Sequence, residues 1–157
     1  MHLRDKTGEI VEIKRGDKGD IPSVEEMYGC FSPKARFQGM PPVDMEYCSR
    51  WIRELFKSGI NYIALKHKRA VGHAVMIPSE EGEDAEFMIF VLQGQRNRGI
   101  GSSLIRYALQ DGKKRGIKRV WLSVGRDNLI AIRLYRKFGF NFKDQSIDSE
   151  RIMTLDI

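Results

Sequence analysis

The sequence predicts a fold of the α/β (α+β) class, in which helices cover a central sheet. Three observations predict it. Segments of strand length alternate with amphipathic segments of helical spacing, in the order β α α β β β α β α β β. The 157 residues suit a single domain spanning 1–157, without an internal repeat or an obvious linker. The run EFMIFVL is apolar nearly throughout, which is typical of a strand in the middle of a sheet.

Each element has its own local signal. Seven segments are predicted as strands: EIVEIK, INYIAL, AVGHAVMI, EFMIFVL, RVWLSV, FNFKDQ and RIMTLDI. Four are predicted as helices: DIPSVEEMYGCF, MEYCSRWIRELFKS capped by Asp44, IGSSLIRYALQDGKKR, and NLIAIRLYRKF opened by Asp127 or Asn128. Between the first two helices, Ser32 to Val43 is rich in proline and glycine, and we expect a loop there.

Charge and hydropathy exclude several classes of function. The formal net charge is +6, which favours anionic partners in general. The basic stretch Lys113 to Arg119 has no interleaved aromatic residues and no motif that enters a nucleic-acid groove, so we expect no nucleic-acid partner. No apolar run approaches the roughly 20 residues of a membrane-spanning helix, so we expect no membrane partner.

Cysteine and histidine usage points to an intracellular protein without a metal. Cys30 and Cys48 have no CxxC spacing and are expected to be free thiols. The three histidines match no metal-ligand spacing, so no metal is predicted. The first residues, MHLRDKTGE, lack the apolar segment of a secretory signal, and we therefore expect a cytoplasmic protein. The oligomeric state is left open, with a homodimer among the alternatives.

The stretch QRNRGIGSS, Gln95 to Ser103, has the character of an anion-binding loop. It follows a strand and opens a helix, so that backbone N–H groups and the helix dipole converge on one point. A triphosphate loop of the GxxxxGK type is excluded because no lysine precedes Ser102. A dinucleotide fingerprint requires glycine or alanine where Leu104 stands, and an acidic residue further on where the chain is basic.

Two motifs together resemble the GNAT acetyltransferases. Arg96, Gly99 and Gly101 match the family's Q/R-x-x-G-x-G/A signature, whose loop binds the pyrophosphate of acetyl coenzyme A. The segment from Asn128 to Phe140, NLIAIRLYRKFGF, independently matches N-x-x-A-x-x-L-Y-x-x-x-G-F. The resemblance extends from Glu9 to the end. It implies a mixed, mostly antiparallel sheet of about seven strands with about four helices, in which the fourth strand, EFMIFVL, and the fifth, RVWLSV, splay apart to admit the pantetheine arm.

The resemblance also implies which residues bind the cofactor, acetyl coenzyme A. An N–H near Val91 or Leu92 would polarise the thioester carbonyl. Arginines suit a pyrophosphate because the guanidinium makes two charge-assisted hydrogen bonds to phosphate. The full set of candidate cofactor ligands is Val91, Leu92, Arg96, Asn97, Arg98, Gly99, Ile100, Gly101, Ser102 and Asn128.

Catalytic roles are implied for Tyr135 and Glu86. Tyr135 stands where the family places the general acid that protonates the departing thiolate. Glu86 is the candidate base, acting directly or through a water, although many members carry this glutamate one position earlier, where Ala85 stands here. The sequence AEFMIFV is instead similar to the A-E-F-x-x-x-V version of bacterial Pat-type protein lysine acetyltransferases. Asp84 and Glu83 are alternative bases.

The acceptor is predicted to be an amine, and a protein lysine is favoured. The segment FSPKARF, Phe31 to Phe37, also resembles the Pat-type F-S-P-x-x-R-F. Three alternatives stay open: a small-molecule amine, a protein amino terminus, and a catalytically silent acyl coenzyme A sensor.

Overall fold

Eight strands and four α-helices form in the part of the chain that the computed structural model describes, residues 1–31 and 44–157. The strands are β1 (His2–Arg4), β2 (Ile10–Arg15), β3 (Ile60–Lys66), β4 (Arg69–Pro78), β5 (Asp84–Val91), β6 (Arg119–Gly125), β7 (Asn141–Phe142) and β8 (Glu150–Asp156). The helices are α1 (Ile21–Gly29), α2 (Met45–Ser58), α3 (Ile100–Lys114) and α4 (Leu129–Lys137). The predicted class and six of the predicted strands are confirmed, only Asn141–Phe142 of the predicted strand FNFKDQ forms a strand, and β1 is an additional strand. The predicted loop, Ser32 to Val43, lies outside the described residues.

All eight strands belong to one open sheet, in the order β1-β2-β3-β4-β5-β6-β8-β7. Neighbours are antiparallel except β5 and β6, which run parallel. That parallel pairing joins only Asp84 to Arg119, Ala85 to Val120, and Glu86 to Trp121. Beyond these pairs the two strands separate, which confirms the predicted splay. We call the gap between β5 and β6 beyond Glu86 and Trp121 the cleft.

Each face of the sheet is covered by a different pair of helices. On one face α3 and α4 pack on a core that includes Phe87, Leu104, Ile105, Leu122, Ile132, Tyr135, Phe140 and Met153. On the other face α1 and α2 pack on a second core of Val24, Met27, Tyr28, Phe31, Cys48, Ile52, Ile63, Ala70 and Phe90. Side chains therefore alternate along β5 between the two cores, with Phe87 on the α3/α4 face and Phe90 on the α1/α2 face.

Local contacts fix the start of α2 and the position of α3 on the sheet. The Asp44 carboxylate accepts the Tyr47 N–H at 2.8 Å and caps α2, as the sequence predicts. Helix α3 lies close on β4 at Gly72, where an added Cβ would come within 2.9 Å of Leu104 Cδ1. A larger residue at Gly72 would thus force the buried Leu104 side chain of α3 to shift.

A chain of hydrogen bonds crosses the core on the α1/α2 face. The Asn61 amide donates to the Leu55 and Gly59 carbonyls, so its oxygen is the acceptor for His73 Nε2 at 2.8 Å. His73 Nδ1 then accepts the Tyr28 hydroxyl at 2.7 Å. His73 is fully buried, and burial lowers its pKa to about 3. The imidazole is therefore neutral, and both of its nitrogens are satisfied.

This neutral histidine predicts a pH dependence of stability. In the unfolded chain a histidine takes up a proton as the pH falls through about 6.5, whereas folded His73 stays neutral down to about 3. The free energy of unfolding should therefore decrease by about 1.4 kcal/mol per pH unit as the pH falls below 6. Urea denaturation at pH 6.5, 6.0, 5.5 and 5.0 measures this slope.

The matched control is His73→Gln, because glutamine keeps one donor and one acceptor but does not titrate. We expect a shallower slope in this variant over the same pH range, because the titrating imidazole is gone. An unchanged slope in His73→Gln would contradict the assignment of a neutral, buried imidazole.

Candidate active site

The edge of β5 presents one backbone donor to the cleft. In an antiparallel pair, successive residues direct their N–H groups to alternate sides of the strand. The Leu92 N–H donates to the Val71 carbonyl of β4 at 2.9 Å, so the Val91 N–H is directed the other way, toward β6. Because β6 has already separated there, the Val91 N–H faces the cleft. Of the two N–H groups that the sequence offers as donors to the cofactor, that of Leu92 is bonded within the sheet and that of Val91 faces the cleft.

The loop after β5 ends in an unpaired helix terminus. Asn97 and Gly99 both have left-handed backbone, with φ of 60° and 88°. Gly99 caps α3, and the first N–H with an acceptor inside the helix is that of Ser103, which donates to the Gly99 carbonyl at 3.1 Å. The N–H groups of Ile100, Gly101 and Ser102 therefore have no acceptor within α3. This geometry, with the helix dipole behind it, suits an anion.

Two arginines flank this terminus, and both already have partners. Arg96 Nε donates to the Val91 carbonyl at 3.1 Å, and its guanidinium carbon lies 5.6 Å from the centre of the Phe31 ring. Arg98 Nη1 lies 3.4 Å from Glu9 Oε2 and 3.5 Å from the Gln95 amide oxygen. Arg96 thus borders the cleft itself, whereas Arg98 is on the side of the β1–β2 hairpin.

Two polar side chains at the starts of α3 and α4, those of Ser103 and Asn128, have structural roles. The Ser103 hydroxyl donates back to the Gly99 carbonyl at 3.0 Å. Asn128 caps α4, because its side-chain oxygen accepts the Ala131 N–H at 3.3 Å. Among the described residues, no hydrogen-bond partner is present for the Ser102 hydroxyl. Ser102 is therefore the more available of the two serines for a ligand.

Tyr135 lies on α4 in the core of the α3/α4 face. Its relative exposure is 9 %, and its ring packs edge-on against Phe140 at a centroid distance of 5.8 Å. Burial raises the pKa of Tyr135 to about 12, so the hydroxyl keeps its proton at neutral pH. No described residue hydrogen-bonds to that hydroxyl. It is thus a proton donor without a fixed acceptor.

Glu86 lies on the opposite face of the sheet from Tyr135. Its neighbours along β5 at 85 and 87 belong to the core of the α3/α4 face, so Glu86 projects to the α1/α2 face, beside Trp121 of β6. Burial raises the pKa of Glu86, and the nearby charge of Glu150 adds to the shift. A carboxylate with a raised pKa is a better base near neutral pH than an exposed one.

Sequence reasoning missed two residues beside Glu86. Trp121 and Glu150 reach this face from β6 and β8, and the pairing of Gly125 with Glu150 places the latter at the end of β6. Trp121 also lines a groove, together with Asp84, Arg119, Phe142, Lys143, Ile152, Thr154 and Asp156. No signal in the sequence identifies either residue, because their proximity to Glu86 arises only from strand pairing.

The described residues hold neither a group of three or more metal-ligating side chains nor a helix long and apolar enough to cross a bilayer.

Comparisons with known proteins agree on one family. The family model described as Acetyltransferase (GNAT) family matches residues 21–140. An uncharacterized N-acetyltransferase of Methanocaldococcus jannaschii is 46 % identical over 66 residues, which cover 41 % of this chain and 29 % of that protein. The chain thus spans about a third of the length of the curated relatives it first matches.

Solved structures share the fold at low identity. The GNAT domain of S. lividans PAT superposes with a TM-score of 0.84 at 16 % identity, covering 100 % of this chain and 96 % of that one. A Salmonella typhimurium protein solved with its cofactor acetyl-CoA superposes with a TM-score of 0.74 at 16 % identity, covering 93 % of each chain.

Proposed function

The chain belongs to the GNAT acetyltransferase family, and we propose that it transfers an acetyl group from acetyl coenzyme A to a primary amine, namely a lysine side chain of a protein. One observation carries the proposal. The start of α3, where three N–H groups have no acceptor within the helix, follows the strand that borders the cleft; the Val91 N–H faces the cleft, and the candidate base and acid lie on opposite faces of the sheet. A diphosphate ester that ends in a thioester has the charges and the length to match this order.

The residues around the cleft fit such a ligand from its phosphates to its thioester. We propose that the N–H groups of Asn97 to Ser102 and the guanidinium groups of Arg96 and Arg98 bind the pyrophosphate. The Val91 N–H would donate to the thioester oxygen as negative charge develops there. Acetyl coenzyme A supplies the activated acetyl group, and the protein supplies its orientation. Asn128 contributes by fixing the start of α4, which borders the cleft.

Two proton movements are required, and one residue on each face of the sheet can perform them. A lysine ammonium, with an ordinary pKa near 10.4, must lose a proton before its nitrogen attacks. We propose that Glu86 takes this proton through ordered water, because five residues of strand separate it from Val91 by roughly 16 Å. The Tyr135 hydroxyl then donates its proton to the thiolate as the carbon–sulfur bond breaks, and the second proton, which the nitrogen loses as the amide forms, restores the hydroxyl.

Protein lysine is the favoured acceptor because of the sequence. The AEFMIFV and FSPKARF segments are similar to those of Pat-type protein lysine acetyltransferases. A cytoplasmic location, a single domain and a homodimer stay predictions.

The direct test of the acceptor is acetylation in a lysate of the source organism. The protein is incubated with acetyl coenzyme A, and acetylated lysines are mapped by mass spectrometry against a sample without the protein. We expect new acetyl-lysine sites. Release of coenzyme A without protein acetylation would replace the lysine proposal with a small amine, and no release at all would indicate a silent acyl coenzyme A sensor.

Replacement of Tyr135 by phenylalanine tests the general acid. We expect Tyr135→Phe to lower kcat about 100-fold, because the thiolate then departs without a positioned proton, while the KM for acetyl coenzyme A changes little. Steady-state kinetics measure both constants. The control is Tyr107→Phe on α3, which removes a hydroxyl outside the cleft and should leave kcat unchanged. Equal kcat values for the wild type and Tyr135→Phe would contradict the assignment.

Glu86 predicts how the rate depends on pH. A base works only when it is deprotonated, so kcat/KM should fall as the pH decreases through the raised pKa of Glu86. Tyr135, with a pKa of about 12, should cause no loss of activity up to pH 9. In Glu86→Gln we expect most of the activity to be lost, and the remaining kcat/KM should no longer fall as the pH decreases. Asp84→Asn is the matched control. If the fall of kcat/KM at low pH disappears in Asp84→Asn rather than in Glu86→Gln, the base is Asp84.

A further inference from the structure

An ionic cluster connects the β1–β2 hairpin to the loop from Gln95 to Gly99, the proposed pyrophosphate loop. We call Asp5, Glu9, Lys66 and Arg98 the hairpin cluster. The Lys66 ammonium, whose side chain is 5 % exposed, donates to the Asp5 carboxylate and to Glu9 Oε2, the latter at 2.7 Å. The same Glu9 oxygen lies 3.4 Å from Arg98 Nη1. One carboxylate oxygen is therefore shared between a buried lysine and an arginine of the loop.

The backbone makes a second connection between the hairpin and the loop. The Lys6 N–H donates to the Arg98 carbonyl at 3.0 Å. The turn that supplies this N–H is itself fixed, because Asp5 Oδ1 accepts the Thr7 N–H at 2.8 Å, the Thr7 hydroxyl at 2.6 Å and the Glu9 N–H at 3.1 Å. The hairpin thus contacts Arg98 twice. Its Lys6 N–H binds the main-chain carbonyl of Arg98, and its Glu9 carboxylate lies beside the Arg98 guanidinium.

All four side chains of the cluster are charged at neutral pH. The hydrogen bonds to Lys66 hold the pKa values of Asp5 and Glu9 below their usual range. Burial alone would lower the pKa of Lys66, but its hydrogen bonds to Asp5 and Glu9 outweigh burial and raise it. Two negative and two positive charges therefore balance. Lys66 is enclosed, whereas the Arg98 side chain is 31 % exposed and is the cation that can turn outward.

We propose that Lys66 is a positioning residue for coenzyme A binding, because it occupies the Glu9 carboxylate and so leaves Arg98 available to the pyrophosphate. This rests on the proposed function. The Glu9 oxygen is nearer to Lys66 than to Arg98, so the buried lysine is its main counter-ion. Without Lys66, Asp5 and Glu9 have Arg98 as the nearest cation of the cluster. Arg98 would then pair with the hairpin and compete poorly for phosphate.

The test compares three variants with two ligands by isothermal titration calorimetry. The variants are Lys66→Met, Glu9→Gln and the double variant, and the ligands are coenzyme A and pantetheine, which has no phosphate. We expect Lys66→Met to weaken coenzyme A binding about tenfold, comparable to one charge-assisted hydrogen bond, and to leave pantetheine binding unchanged. Glu9→Gln in the Lys66→Met background should restore coenzyme A binding to within about twofold, because Glu9 is the carboxylate of the cluster that contacts Arg98.

Several results would overturn the inference. These are unchanged coenzyme A binding in Lys66→Met, failure of Glu9→Gln to restore it, or an equal loss with pantetheine, which would indicate a general structural defect. If Lys66→Met does not fold, as judged by circular dichroism, the single variant Glu9→Gln provides the test. Weaker coenzyme A binding in Glu9→Gln would contradict the inference that Glu9 competes with the pyrophosphate for Arg98. A wild-type protein that does not bind coenzyme A would overturn the proposed function as well.

Discussion

The early end of the parallel pairing between β5 and β6 is the constraint on which the candidate site depends. Three residue pairs hold the strands together, and beyond Glu86 and Trp121 they separate. Parallel strands deliver their following helices to the same edge of a sheet, so α3 and α4 both begin beside the opening. The separation leaves the Val91 N–H without a partner strand. The cleft, its donor and the two helix starts therefore have one common origin.

The same opening joins the two faces of the sheet. Glu86 projects to the α1/α2 face and Tyr135 lies in the core of the α3/α4 face. Burial raises the pKa of both, which favours proton uptake by a carboxylate and proton retention by a phenol. In the proposed reaction, an amine would approach from one face and the thiolate would depart toward the other. The sheet lies between the proposed acid and the proposed base.

Two buried ionisable side chains, His73 and Lys66, are stabilised in different ways in this fold. Within the α1/α2 core, His73 is kept neutral by burial and by hydrogen bonds to Tyr28 and Asn61. At the hairpin, Lys66 is instead kept charged by Asp5 and Glu9. The neutral chain stabilises the packing of α1 against β3 and β4. The charged cluster lies against the loop that precedes α3, through the contact between Glu9 and Arg98.

The sequence by itself determined the elements and the loop, because these depend on neighbours along the chain: the cap at Asp44, the glycine that begins α3, and the apolar run of β5. Three-residue β1 escaped detection because it is too short to show a period, and it forms only by pairing with β2. The tertiary structure alone decided that Val91 rather than Leu92 faces the cleft, that Glu150 stands near Glu86, and that Glu9 shares its carboxylate with Lys66 and Arg98. The physical reason is that strand register and charge pairing depend on contacts between residues far apart in the chain. Local sequence patterns do not specify those contacts.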